Sequence, residues 1–356
     1  MSFLSFLRRL FRSRRCCRSR VDIELDKKSE GQDSPVNDLS ESSNNGELST
    51  TDRKLIEHVS ESQQPAGLQI PPPKRIGVGG KAHGGGTQDA FFVDKNIVAI
   101  ADGVGESIGS EIASDHVTKM FVSECSSLGK DNIDFKSINE VWLKLDEMLK
   151  ELYKEKYENA NFDFTRVLTG FLATTLLSVI ELEDSYIISY LGNGSIWYVR
   201  GDFWEFLESR RKWPWCIEDI LIPHSSYAGD EALFGVIDST GIRGTPSIIS
   251  IKKDTERGEI FILTTDGISS KDKIRVLITN GSNGDQIPKS QEINHNIFKI
   301  LCIIRDYLNN YKSYSYTLDD LINKFLDENN FDDDATLAIL ISEKAIQYFA
   351  MKHNYL

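Results

Sequence analysis

The sequence predicts an α+β fold in which antiparallel sheets carry helices on their outer faces. Three observations predict it. Short apolar runs rich in β-branched and aromatic residues recur from about residue 90 to residue 342. Helical stretches stand between groups of these runs rather than after every one. Neighbouring runs are joined by turn residues, as in SYIISYLGNGSIWYV, where Gly192-Asn193-Gly194 predicts a hairpin turn. With 356 residues, 40% hydrophobic and 27% charged, the chain has ample apolar material for a core. That composition excludes a disordered, collagen-like or disulfide-framework protein. Cys16, Cys17, Cys125, Cys216 and Cys302 form an odd, scattered set without a CxxC pair, which predicts a reducing intracellular setting.

Taken in order, residues 1–20 (MSFLSFLRRLFRSRRCCRSR) form a basic amphipathic arm. Phe3, Leu4, Phe6, Leu7, Leu10 and Phe11 fall on one helical side, and Arg8, Arg9, Arg12 and Arg15 on the other. The apolar stretch is too short to span a bilayer. An arm of this kind binds anionic lipid, directs a chain to an organelle, or docks on a partner; the sequence leaves these open. The localisation expected is cytoplasmic, with peripheral membrane contact through residues 1–20 as one reading. The arm holds seven arginines and no acid, so within a formal net charge of −13 the rest of the chain carries −20. So acidic a body repels phosphate backbones, and no nucleic-acid partner is expected. Residues 21–75, polar and ending in a triple proline, read as a disordered linker.

Residues 76–341 read as one folded domain. Its strand runs are DAFFV, NIVAIAD, FLATTLLSVIEL, SYIISYLG, SIWYVRG, EIFILTTDG and ATLAILIS. Helices are expected at 109–128, 137–156, 293–309 and 317–328, and 342–356 reads as an exposed tail or a last helical turn. In residues 203–235, Trp204, Trp213 and Trp215 accompany Arg210, Arg211 and Lys212. They read either as a docking surface for another protein or as satellite core. Thr174 and Thr175 read as buried strand residues without a chemical role.

Aspartates stand at the ends of the most apolar runs: Asp89 before AFFV, Asp102 after NIVAIA, Asp266 after EIFILTT, and Asp333 before DATLAILI. Singly, each Asp-Gly reads as a turn at a strand end. Together, four carboxylates brought to one sheet edge could not all stay ionised without a cation. All-oxygen ligation suits Mg2+ or Mn2+ rather than zinc or copper.

The ordered set TQDAFFV, AIADGVGE, LATTLLSVI, YLGNGSIWYVRGD, LTTDGIS and DDATLAIL resembles the metal-dependent protein phosphatase 2C family, closest to its bacterial-type branch, from about Gly77 to Ile341. The resemblance implies a sandwich of two antiparallel β-sheets flanked by helices, two divalent cations at one end, and hydrolysis of phosphoserine and phosphothreonine in proteins. It implies that Asp102 bridges both cations, that the Gly103 carbonyl is a ligand of one, that Asp266 and Asp333 hold the other, and that Asp89 reaches a cation largely through water. In the mechanism it implies, a cation-activated water attacks phosphorus directly, with Asp102 and Asp89 as the catalytic carboxylates and no cysteine nucleophile.

Several positions depart from the family pattern. Gln88 replaces a frequent Glu, and Gly84 stands where a phosphate-binding arginine is usual. Lys81 and His83 are the candidate substitutes, with Lys74 and Arg75 as further options. Val104 replaces a histidine. Asn193 and Ser270 replace two carboxylates of a third, weaker cation site, which is therefore expected to be absent or altered. The alternative reading is a pseudophosphatase that binds phosphoproteins or scaffolds a partner; an unrelated cation-dependent phosphoesterase ranks last.

Overall fold

The computed structural model describes residues 73–356 apart from 84–85, 106, 159–169, 205–216, 223, 227–231, 234, 270–274, 281–285, 293–294, 311–315 and 354–356. The arm and nearly all of the linker lie outside the described residues. The strands begin with β1 (Ile76–Lys81), β2 (Ala90–Asp94), β3 (Ile97–Ala101), β4 (Leu176–Glu181), β5 (Ser185–Leu191) and β6 (Ser195–Arg200). Then follow β7 (Ile217–Asp219), β8 (Ser225–Ser226), β9 (Ala232–Leu233), β10 (Val236–Asp238), β11 (Gly241–Arg243), β12 (Ser247–Lys252) and β13 (Glu259–Thr264). Last come β14 (Arg275–Asn280), β15 (Gln286–Glu292) and β16 (Ala335–Ile341). The helices are α1 (Ser110–Leu128), α2 (Phe135–Lys156), α3 (His295–Asn310), α4 (Leu318–Glu328) and α5 (Glu343–Lys352), with a single helical turn at Asp266–Ser269.

Two five-stranded antiparallel sheets form the body, in the orders β1-β16-β13-β6-β7 and β12-β5-β4-β3-β2. Their strands are apolar on both faces because each face is covered. In β3, Ile97, Ala99 and Ala101 meet α1 and α2, while Val98 and Ile100 point between the sheets. In β16, Leu337, Ile339 and Ile341 meet α3, α4 and α5, while Ala338 and Leu340 face the other sheet. The expected two-sheet sandwich flanked by helices is therefore the observed one, in four layers. Buried Trp142 of α2 donates from Nε1 to Ser189 Oγ of β5 at 2.8 Å, which fixes that helix on its sheet.

The helix starts follow from local chemistry. Asp134 accepts from Ser137 N and Ser137 Oγ reaches back to Asp134 N, a capping box that opens α2. Thr317 and Asp320 do the same for α4. Four helices thus fall within two residues of their expected bounds.

Other expectations are corrected. The Gly192-Asn193-Gly194 turn does not close a hairpin: β5 belongs to one sheet and β6 to the other. Gly192 (φ 123°) and Gly194 (φ 101°) make this crossover possible. A Cβ on Gly192 would lie 2.5 Å from Thr175 Cγ2, and one on Gly194 2.5 Å from the Thr264 carbonyl. The run FLATTLLSVIEL is a strand only over 176–181; residues before it make isolated bridges, as at Thr174 with Gly103 and Ile237. Residues 342–356, read as an exposed tail or a last helical turn, contain the ten-residue helix α5, capped by Ser342 and burying Ala345 and Phe349 in the core. Trp204 packs its ring edge-on to Phe349 and His353, at centroid distances of 6.3 and 4.7 Å, so it is core rather than docking surface. Trp213, Trp215, Arg210, Arg211 and Lys212 lie outside the described residues. No helix among the described residues is long and apolar enough to cross a membrane.

Candidate active site

Strand register brings the four aspartates together. Ala90 pairs with Ala101, so Asp89 and Asp102 leave adjacent strands of one sheet side by side. Thr264 pairs with Leu337, and Thr265 N donates to the Thr336 carbonyl at 3.1 Å, so Asp266 and Asp333 leave adjacent strands of the other sheet. The two pairs meet at one end of the sandwich, where Asp102 is within hydrogen-bonding reach of the carboxyls of both Asp89 and Asp266.

The glycines after Asp102 and Asp266 serve this meeting, though neither sits at positive φ. A Cβ on Gly103 would fall 2.7 Å from the Gln88 carbonyl, and one on Gly267 only 1.9 Å from the Asp334 carbonyl. Each Asp-Gly is thus a place where two chain segments pass too closely for a side chain.

Burial dominates the electrostatics. The Asp89 carboxyl is pushed up to about 6, first by burial, then by the charge of Asp334, against hydrogen bonds that favour ionisation. Asp102 is raised well above the usual carboxylate range by burial and then by the charges of Asp89 and Asp266. Asp266 is raised by burial and by Asp333, which is itself exposed. Burial and mutual repulsion thus favour the neutral forms of Asp89, Asp102 and Asp266, and a cation would relieve both.

Among the described residues no set of three or more His, Cys, Asp or Glu side chains stands in the geometry of a metal shell. The donors nevertheless fit hard divalent cations. Asp89 Oδ1 and Asn193 Oδ1 are buried and have no hydrogen-bond partner, and the acids beside them offer carboxyl oxygen.

Several sequence candidates stand elsewhere or in other roles. Lys81 Nζ donates to the carbonyls of Leu326, Asp327 and Asn329 at 3.0, 3.4 and 2.8 Å, closing the C-terminal end of α4. Its charge is committed there, which removes it from the phosphate donors. Arg75 and Lys74 lie at the opposite end of β1, where Arg75 pairs with Glu181 and Lys74 with Asp319. His83 is exposed and lines, with Lys81, Phe331 and Asp333, a cavity of about 270 Å³. Gln88 donates its amide Nε2 to Ser110 Oγ (2.9 Å) at the start of α1. Asn193 Nδ2 donates to Asp266 Oδ2 at 2.6 Å. Gly84 and Ser270 lie outside the described residues. Cys125 is buried, its thiol pushed up to about 12 by burial, and it takes no part.

Sequence reasoning missed the residues that brace these acids. Asp102 N donates to Thr175 Oγ1 (3.0 Å), and the Asp102 carbonyl accepts from Thr174 Oγ1 (2.9 Å) and Thr175 N (2.8 Å). Thr265 Oγ1 donates to Asp89 Oδ2 at 2.8 Å. Buried Asp334 accepts from His83 N (2.6 Å) and Gln88 N (2.5 Å), clamping both ends of the glycine-rich segment before Asp89. Only the adjacency of Asp333 and Asp334 hinted at the last of these.

The fold is thus an antiparallel two-sheet sandwich with acids from both sheets at one end. The protein phosphatase 2C family model matches residues 77–283, more than half of the chain, and the chain belongs to that protein phosphatase family. Among solved structures, a bacterial serine phosphatase bearing a point mutation is 14% identical, over 75% of this chain and 97% of that one, with a TM-score of 0.51. A C. elegans sex determining protein is 12% identical over 79% and 67%, also at 0.51. The Mycobacterium tuberculosis serine/threonine phosphatase PstP/Ppp is 12% identical over 76% and 98%, at 0.49. No curated protein matches the chain. The two likenesses at 0.51 agree with the fold described above; the family match carries the assignment.

Proposed function

We propose that this member of the phosphatase family hydrolyses phosphoserine and phosphothreonine in proteins with two divalent cations, Mg2+ or Mn2+. The residues to hold them are Asp89, Asp102, the Gly103 carbonyl, Asp266 and Asp333. The observation that carries this reading is the convergence of Asp89 and Asp102 from one sheet with Asp266 from the other, beside a buried Asp89 Oδ1 that has no hydrogen-bond partner. Bound cations would supply Lewis-acid stabilisation of the phosphoryl oxygens and acidify water.

The chain's own contributions are positional. Thr174 and Thr175 fix the backbone of Asp102, the proposed bridging ligand, and so hold the point from which its carboxylate extends. Asn193 holds one oxygen of Asp266 with a neutral amide, where the family pattern has an acid. That exchange supports a site without the weaker third cation. His83 is the candidate to meet a substrate phosphate, a reading supported by its exposed imidazole, which lines the same cavity as Asp333.

The test is hydrolysis of a phosphothreonine peptide by the full chain with Mn2+ or Mg2+, then with EDTA, with Asp102→Asn as control. Turnover that needs the cation, and falls about 100-fold or more in the variant, is the expected result. Folded protein that turns over nothing with either metal would overturn the proposal and favour binding without catalysis.

A further inference from the structure

The link between Thr265 and Asp89 joins the two sheets at the site. Thr265 follows β13, in one sheet, and Asp89 precedes β2, in the other. Thr265 is 1% exposed, and its hydroxyl oxygen already accepts from Thr336 N at 2.9 Å. A hydroxyl carries one proton, and here that proton is donated to Asp89 Oδ2 at 2.8 Å. The acceptor side is held by β16 and the donor side by Asp89, so the hydroxyl has little freedom to rotate. One carboxylate oxygen is thereby occupied, and Oδ1 is the one left buried without a partner.

We infer that Thr265 is a positioning residue for cation binding: its hydroxyl fixes the Asp89 carboxylate so that Oδ1 is the oxygen presented to the metal. The inference rests on the reading of Asp89 as a cation ligand. Groups that orient a ligating carboxylate are expected to matter for metal affinity by about 10- to 100-fold. The backbone bond from Thr265 N to the Thr336 carbonyl does not involve the hydroxyl, so substitution of the side chain leaves the strand pairing its main-chain support.

The test is Mn2+ affinity of the full chain, read from the electron paramagnetic resonance signal of free Mn2+, with unfolding measured separately in EDTA. Thr265→Val keeps the shape and removes the hydroxyl; Thr265→Ser keeps the hydroxyl; Thr265→Ala serves if the valine variant does not fold. The expected result is about 10-fold or greater weakening in Thr265→Val or Thr265→Ala and near-parental affinity in Thr265→Ser. In an Asp89→Asn background, loss of the hydroxyl should bring no comparable further weakening. Parental Mn2+ affinity in a folded Thr265→Val, even with lowered stability, would overturn the positioning role alone. A parent chain that binds no Mn2+ would overturn this inference together with the cation reading beneath it.

Discussion

Asp89 shows what a single side chain does in this site. Its carboxyl is 7% exposed and its ordinary value of 3.8 is raised to about 6, chiefly by burial. Below 3.8 it is neutral in both the folded and unfolded chain. Between 3.8 and about 6 the unfolded chain gives up the proton first, so the stability tied to the neutral form is lost as pH rises through that window. Asp89→Asn abolishes this dependence. In EDTA the variant should therefore gain stability over the parent as pH rises from about 4 to about 6, by on the order of 2–3 kcal/mol, measured by urea unfolding at each pH. A difference that stays flat with pH would contradict the shift. The four aspartates were legible in the sequence because each interrupts an apolar run at its end. Thr174, Thr175 and Thr265 were not, since a threonine in a strand run has the same local pattern whether its hydroxyl braces a carboxylate or merely packs.

At the scale of elements, Lys81 ends β1 and closes the C-terminal end of α4 with one ammonium. A cation at that end of a helix also opposes its dipole. Lys81→Met is expected to cost about 1 kcal/mol in urea unfolding and to leave KM for a phosphopeptide unchanged. A large rise in KM without loss of stability would restore Lys81 as a phosphate donor. The strand itself escaped prediction. IGVGGK is poor in β-formers, and its glycines have a tertiary cause: a Cβ on Gly77 or Gly79 would fall within 2.5 Å of Leu318 or Asn323 side-chain atoms of α4. The crossover at Asn193 was misread as a hairpin for a related reason. Gly-Asn-Gly specifies a tight reversal, while the sheet to which the next strand belongs is decided by partners far along the chain.

On the scale of the whole molecule, helices on both outer faces explain why so much of the fold was readable: strands buried on two sides are nearly continuous apolar runs, and helices between groups of them are amphipathic. The chief loss was at the C-terminal end, where α5 belongs to the core. Phe349→Ala is expected to destabilise the chain by about 3 kcal/mol, as loss of a buried ring does, in urea unfolding. An effect near zero would return this segment to the role of a tail. The position of β16 has a further consequence, in the order of synthesis. It lies between β1 and β13, with Ile76 paired to Leu340, so the first and the last of the described strands are neighbours. A ribosome delivering this chain exposes Asp89 and Asp102 long before Asp333 exists. The nascent sheet holding them has no completed sheet to close against until β16 emerges. The carboxylates at this end of the sandwich are therefore gathered only after β16 has been made.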